Sequence, residues 1–186
     1  MKKINASWLR SYHWCPVQVK MYLEGIKIKS KRAEKGTGKH KSIEDTFKEK
    51  MEFEELPKEE MKEVLNEDTI VVQPEGITLE GQFKDYKVFG RPDMVFSEDG
   101  NITLIDFKTS SKMKIYDDVR LQMGCYLYLA KKEGLTNVRG QLVMSNMKKS
   151  KIKNKLSKIL EESKIENRKE TKNTVKKFLE DEKVFP

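Results

Sequence analysis

Cysteine is scarce: the 186 residues include only Cys15 and Cys125, too few for a disulfide framework and without the spacing of a metal-binding pair. They read as reduced thiols of a cytoplasmic protein. Long apolar runs are missing as well. Nowhere do roughly 18 apolar residues follow one another, as a membrane span requires. Met1 to Ser7 carries Lys2 and Lys3 but no apolar h-region, so the expectation is a protein that is neither membrane-bound nor exported. No internal repeat is present and no separate second domain stands out, and the length suits a single core with a sheet between helices.

What the chain has in quantity is charge. Lys and Arg number 38 against 30 Asp and Glu, a formal net charge of +8 with a pI near 9.2, and this balance favours a polyanionic partner such as nucleic acid. Many lysine-rich proteins are basic without binding DNA, so the functional reading has to come from a site.

The pattern of apolar residues divides the chain. Ser7 can cap a helix carrying Trp8 and Leu9, and Pro16 suits the first turn of another that Gly25 ends. After a basic stretch at 26–39, His40, Ile43, Glu44, Phe47 and Met51 recur at helical spacing until Leu56-Pro57, which places His40 and Glu44 on one helix face. From 69 the period shortens, and strands are expected at 69–73, 77–83, 86–90, 91–97 and 102–109. Helical spacing returns over 116–133, 138–145 reads as a further strand, and the tail from 150 is an amphipathic, lysine-rich pair of helices. One domain is therefore expected over 1–186, with a helical N-terminal lobe at 1–66, a sheet and helix at 67–146 and basic helices at 147–186. The fold class is α/β, a central mixed sheet flanked by helices.

The Asp99-Gly100 dipeptide favours a two-residue hairpin turn and so fixes a register. Glu98 then faces Asn101, Ser97 faces Ile102, and counting outward sets Asp93 opposite Asp106. Opposed like charges are destabilising. Their neighbours Met94, Val95, Phe96, Leu104, Ile105 and Phe107 are apolar on both faces, so bulk water is not available to screen the pair. A hard divalent cation is, and Mg²⁺ is commonly held by one or two carboxylates. Lys108 projects from the same face as Asp106, where an ammonium can orient a water or stabilise charge developing on a phosphate. On its own a D-x-K strand is an exposed charge pair; the second carboxylate placed opposite by register is what makes it a candidate metal site.

These residues resemble a known pattern. Gly90-Arg91-Pro92-Asp93, then Ile105-Asp106-Phe107-Lys108-Thr109, then Gln122 and Tyr126 on the following helix look like the RecB-type branch of the PD-(D/E)XK nucleases, which have a restriction-endonuclease-like core. His40 and Glu44 match the position of that branch's histidine motif. Ser11-Tyr12-His13-Trp14-Cys15-Pro16 is similar to the start of the CRISPR-associated RecB-like exonuclease, the fourth Cas protein. The resemblance spans residues 8 to about 145. It implies a deoxyribonuclease in which His40, Asp93, Asp106 and the Phe107 carbonyl ligate Mg²⁺ or Mn²⁺, Lys108 assists the nucleophilic water, and Gln122 and Tyr126 line the site, with Glu44 supporting. The CRISPR-associated family holds an iron-sulfur cluster on four cysteines; here Cys15 alone stands in a matching place, so no cluster is expected.

The expected substrate is DNA, single-stranded or with free ends. Trp8, Tyr12, Trp14 and Tyr22 lie among Arg10, Lys20 and a basic stretch, a mix suited to stacking bases and following a strand. Aromatics that fill a small helical core would give the same composition. Arg91, Lys148 and Lys149 are further candidate phosphate contacts. Recombination, end processing and CRISPR spacer acquisition all fit the resemblance. Many nucleases of this type form rings or work inside larger assemblies, so a homo-oligomer or a partner protein of those processes belongs among the expectations. A DNA-binding subunit without catalysis and a sequence-specific endonuclease of the same fold stay open as alternatives.

Overall fold

The two-residue periodicity between 77 and 109 becomes four strands in succession: β3 (Leu79–Phe83), β4 (Tyr86–Gly90), β5 (Met94–Glu98) and β6 (Asn101–Thr109). They follow β1 (Lys2–Asn5), the helices α1 (Trp8–Trp14) and α2 (Pro16–Leu23), and the short strand β2 (Val71–Gln73); α3 (Asp117–Lys132) and β7 (Val138–Ser145) complete the order. This computed structural model describes residues 1–26, 71–73, 77–98, 100–109 and 114–145. His40, Glu44, Lys148, Lys149 and both tail helices of the sequence reading lie outside the described residues.

The strands form two mixed sheets, β1-β4-β3 and β2-β5-β6-β7. The α/β class expected from the sequence is the class observed, although its single central sheet is divided. In the first sheet β3 and β4 are joined by Lys84 and Asp85, with Phe83 paired to Tyr86, and Lys84 takes the positive φ of 51° that so tight a turn demands. The lobe expected to be helical contributes a strand as well. Lys2–Asn5 pairs in parallel with β4, Lys2 against Tyr86 and Asn5 against Phe89, and Ala6 continues the ladder by donating its amide to the Phe89 carbonyl at 2.7 Å. Four residues with two lysines gave no legible alternation. Ser7 stands at the N-cap of α1 without using its side chain as a cap. Its hydroxyl and amide both turn to Asn5 Oδ1, at 2.7 and 2.8 Å. Pro16 opens α2, and Gly25 at φ 81° lets the chain turn out of it, with the Ile26 amide reaching back to the Met21 carbonyl at 2.9 Å.

The second sheet holds the register on which the sequence reading depends. Glu98 pairs with Asn101, Ser97 with Ile102 and Met94 with Ile105, and Gly100 has φ of 68°. The strand expected at 91–97 starts later, at Met94, because Arg91 and Pro92 connect the two sheets. β6 lies between antiparallel β5 and parallel β7 and is buried from Ile102 to Phe107. A parallel neighbour requires a crossover, and α3 supplies it. Its inner face carries Val119, Met123, Tyr126, Leu129 and Ala130, all buried. Asp117 and Asp118 in its first turn and Lys131 and Lys132 in its last suit the helix dipole. α3 packs on β3, β4, β6, β7 and α1, so one helix touches both sheets. Leu79, Met94, Ile102, Leu104, Ile105 and Leu129 are each 0% exposed, and each contributes about 1.5–3 kcal/mol of apolar transfer. No helix among the described residues is long and apolar enough to cross a membrane.

Candidate functional site

The β5–β6 ladder ends at Met94 and Ile105, and the next residue on each strand is an aspartate. Asp93 lies just before β5, where its Oδ2 accepts the Phe107 amide at 2.7 Å. A side-chain carboxylate thereby serves as acceptor where the strand pairing stops, which anchors Asp93 to β6 beside Asp106. Asp106 is 2% exposed. The alternation of β6 sends Lys108 to the same face, and its Nζ makes an ion pair with Asp106 Oδ2; the lysine side chain is 13% exposed. The two acids and the lysine singled out in the sequence therefore meet at one end of one hairpin.

α3 brings Gln122 and Tyr126 to the same place. Their i, i+4 spacing aligns them on the buried face, with the Gln122 amide donating from Nε2 to the Tyr126 hydroxyl at 2.6 Å. A phenol that accepts in this way keeps its own O–H to donate. Burial pushes the Tyr126 hydroxyl well above its ordinary pKa; the negative charge of Asp106 and, less strongly, of Asp93 pushes the same way against the lowering bond from Gln122. Both carboxylates thus act on one phenol. Gln122 is 6% exposed, and its Oε1 is buried with no hydrogen-bond partner among the described residues. Such an acceptor costs about 1–3 kcal/mol and is open to any donor that enters.

Two small residues make this arrangement possible. A Cβ on Gly90 would fall 2.6 Å from the Tyr126 ring and 2.7 Å from the Ala6 Cβ. Gly90 is therefore the slot that admits the tyrosine. A Cβ on Gly140 of β7 would stand 2.5 Å from the Met123 sulfur, so a second glycine sets how closely α3 lies on the sheet.

One member of the polar face of α3 escaped the sequence reading. Asp118 is 4% exposed, one turn ahead of Gln122, and pairs with Arg10 Nε at 2.9 Å. Burial raises the Asp118 pKa, but the Arg10 hydrogen bond and charge, a bond from Trp14 and the Val119 amide together bring it below its ordinary value. The signal was in the spacing, since 118, 122 and 126 repeat every four residues. Arg10, expected to meet DNA, commits its Nε to this pair, while Lys20 and Arg91 are exposed. Cys125 faces away from the polar stripe into the core margin, where burial pushes its thiol pKa up to about 11. Both cysteines are free thiols.

The donor set fits a hard divalent ion. Two carboxylates converge with an ammonium, and oxygen ligands of this type suit Mg²⁺. Among the described residues no cluster of three or more His, Cys, Asp or Glu stands together; His40, the further ligand expected from the sequence, lies outside them.

Comparison with known proteins bears on the same segment. No curated protein sequence matches the chain. A solved structure described as "Crystal structure of SSO0001" is similar at 17% identity over 90% of this chain and 79% of that one, with a TM-score of 0.41. The family model for the PD-(D/E)XK nuclease superfamily matches residues 61–184, which takes in both aspartates, Lys108 and the whole of α3. With its restriction-endonuclease-like fold and a match over most of its length, the chain belongs to the PD-(D/E)XK nuclease superfamily.

Proposed function

We propose that the protein is a metal-dependent deoxyribonuclease of the RecB-like branch, one nuclease domain over residues 1–186, hydrolysing phosphodiester bonds in single-stranded DNA or at DNA ends. The observation that carries the reading is the meeting of Asp93, Asp106 and Lys108 at the open end of the β5–β6 hairpin. Nucleases of this superfamily generally use divalent metal ions such as Mg²⁺. Asp93 and Asp106, with the Phe107 carbonyl and His40, would hold Mg²⁺ or Mn²⁺, which when bound supplies Lewis-acid activation of water and of the phosphate.

The remaining chemistry belongs to the chain. Asp106 holds the Lys108 ammonium by an ion pair, so the lysine enters the reaction already oriented, able to position the attacking water or to neutralise charge on a non-bridging oxygen. Asp93 is immobilised by the Phe107 amide. Gln122 offers its unpartnered Oε1 as an acceptor, and the Tyr126 O–H can donate to a phosphate oxygen. A phenol with the ordinary pKa near 10 is already protonated in the neutral range, and burial pushes the same way. Arg91, Lys20, Lys148 and Lys149 supply cationic side chains for phosphates away from the reacting bond. Recombination, end processing and CRISPR spacer acquisition are the processes this activity suits.

The test is cleavage of 5′- and 3′-labelled single- and double-stranded DNA with Mg²⁺, Mn²⁺ or EDTA. Cleavage is expected with metal alone and should disappear in Asp106→Ala and Lys108→Ala. DNA binding with no cleavage in either metal would instead make the protein a binding subunit of nuclease fold. A single preferred site in a duplex would mark a sequence-specific endonuclease.

A further inference from the structure

The aromatics of the N-terminal helices divide into two kinds. Trp8 packs on Tyr22 with ring centroids 5.1 Å apart, a contact between two half-buried rings. Tyr12 and Trp14 are 58% and 67% exposed. Trp14 is the last residue of α1, which packs on α3. Its side chain lies close enough to Asp118 to favour that carboxylate's charged form, and the His13 ring is perpendicular to it, with centroids 5.6 Å apart. Asp118 is itself held by Arg10. An exposed indole at the end of a helix pinned to α3 by the Arg10–Asp118 pair offers ring area to solvent.

Asp118 belongs to α3, the helix that carries Gln122 and Tyr126. From Asp118 the polar stripe runs to Gln122 and Tyr126, about 6 Å per step and roughly 12 Å in all at the rise of an α-helix. About three nucleotides at stacked spacing cover that distance. The N-terminal segment is net basic: residues 1–26 contain Lys2, Lys3, Arg10 and Lys20 against a single acid, Glu24. Arg10 spends Nε on Asp118, so its terminal amino groups are left for a phosphate.

We propose that Trp14 is a base-stacking platform that holds a single DNA strand a few nucleotides from Asp93 and Asp106. Every base has a π face, so stacking of this kind tolerates any sequence. A base inside a duplex has both faces covered by its neighbours, so the platform selects unpaired strands and frayed ends. Asp118 and Arg10 are positioning residues: their ion pair pins α1, and with it Trp14, to the helix that carries Gln122 and Tyr126. The proposal takes its substrate class from the nuclease reading, but its test requires no cleavage.

The test is titration of the full-length protein in EDTA with a short oligothymidylate, following intrinsic tryptophan fluorescence in wild type, Trp8→Phe and Trp14→Phe. Quenching is expected in wild type and Trp8→Phe and not in Trp14→Phe. Trp14→Ala should bind the single strand about tenfold or more weakly, the scale of one lost base stack, with Trp14→Phe restoring most of the affinity and duplex binding unchanged. Quenching that survives Trp14→Phe, absence of quenching in wild type, or equal losses for single strand and duplex would each overturn the platform. If Trp14→Ala does not fold, the two phenylalanine variants decide. Metal-dependent cleavage without quenching would reject the platform alone; quenching without cleavage would reject the nuclease reading and leave the platform standing.

Discussion

Replacing Gly90 by alanine adds one methyl group, and the structure specifies what that group meets. It would lie 2.6 and 3.0 Å from two carbons of the Tyr126 ring and 2.7 Å from the Ala6 Cβ, all well inside normal van der Waals separation. None of these neighbours yields cheaply: Tyr126 is 3% exposed, Ala6 is 0% exposed, and an aromatic ring moves only as a rigid unit. Overpacking of this kind costs about 1–3 kcal/mol, and the upper part of that range is expected because two neighbours are compressed at once. The tyrosine is the freer to move, and moving it breaks the 2.6 Å bond from Gln122. Gly90→Ala should therefore lower both the urea midpoint and the rate of DNA cleavage. In a double-mutant cycle with Tyr126→Leu the glycine substitution should cost less than it does alone, since the ring contact is gone while the Ala6 contact stays. Urea melts of the four proteins measure the cycle. Equal cost of Gly90→Ala in both backgrounds would refute the claim that Gly90 exists to admit Tyr126.

Gly140→Ala is the milder counterpart: its methyl meets the sulfur and Cγ of Met123, a flexible side chain that can give way, and a loss of about 1 kcal/mol or less in urea melts is expected. Arg10→Ala leaves Asp118 buried with fewer partners; with Arg10 39% exposed the pair is partly screened, so the expected loss at pH 7 is about 1–2 kcal/mol. Because the Asp118 pKa is lowered from 3.8, the stability it contributes is present above that value and lost as pH falls through the folded-state pKa. The gap between wild type and Arg10→Ala should therefore close in acid, and a gap of constant size in urea melts at pH 7 and pH 3 would contradict the pairing. The thiol of Cys125 is raised from 9.0 to about 11, so the folded state holds its proton more tightly and stability falls as pH rises through that window, by about 1–3 kcal/mol for a thiol that solvent partly screens. Cys125→Ala should remove that part of the alkaline loss; parallel stability curves for the two proteins would show the thiol to be solvated.

The candidate site was legible where a local rule fixed geometry. Asp99-Gly100 determined the hairpin register, and two-residue alternation then brought Asp93 to Asp106 and Lys108 to the same face without any knowledge of the fold. The four-residue spacing of Gln122 and Tyr126 gave their shared helix face in the same manner. What stayed hidden depended on long-range packing. β1 is four residues long and stable only because β4 accepts it, and nothing in Lys2 to Asn5 announces a partner more than eighty residues away. Arg10 read as a free cation because Asp118 lies 108 residues further on. The separation of Trp8 from Trp14 into a packed and an exposed ring depends on Tyr22, which covers only the first, and composition alone treats the two tryptophans alike.

The segment Gly90-Arg91-Pro92-Asp93 has a mechanical reason to be short. Gly90 ends a strand of one sheet and Met94 begins a strand of the other, so three residues carry the chain between sheets while α3 packs across both. Each end of the segment is tied to the site. Gly90 provides the space that Tyr126 fills, Pro92 is buried with φ restricted by its ring, and Asp93 is locked to the Phe107 amide. A displacement of either sheet would move Tyr126 relative to the carboxylates whose charge it feels. The site is thus the joint of the molecule as well as its chemistry, and its residues hold the two sheets in the one relation that lets an acid pair, a lysine and a phenol face the same point. Opposed carboxylates cost stability, and the fold tolerates them because the Phe107 amide and Lys108 each offset one charge before any metal or phosphate arrives.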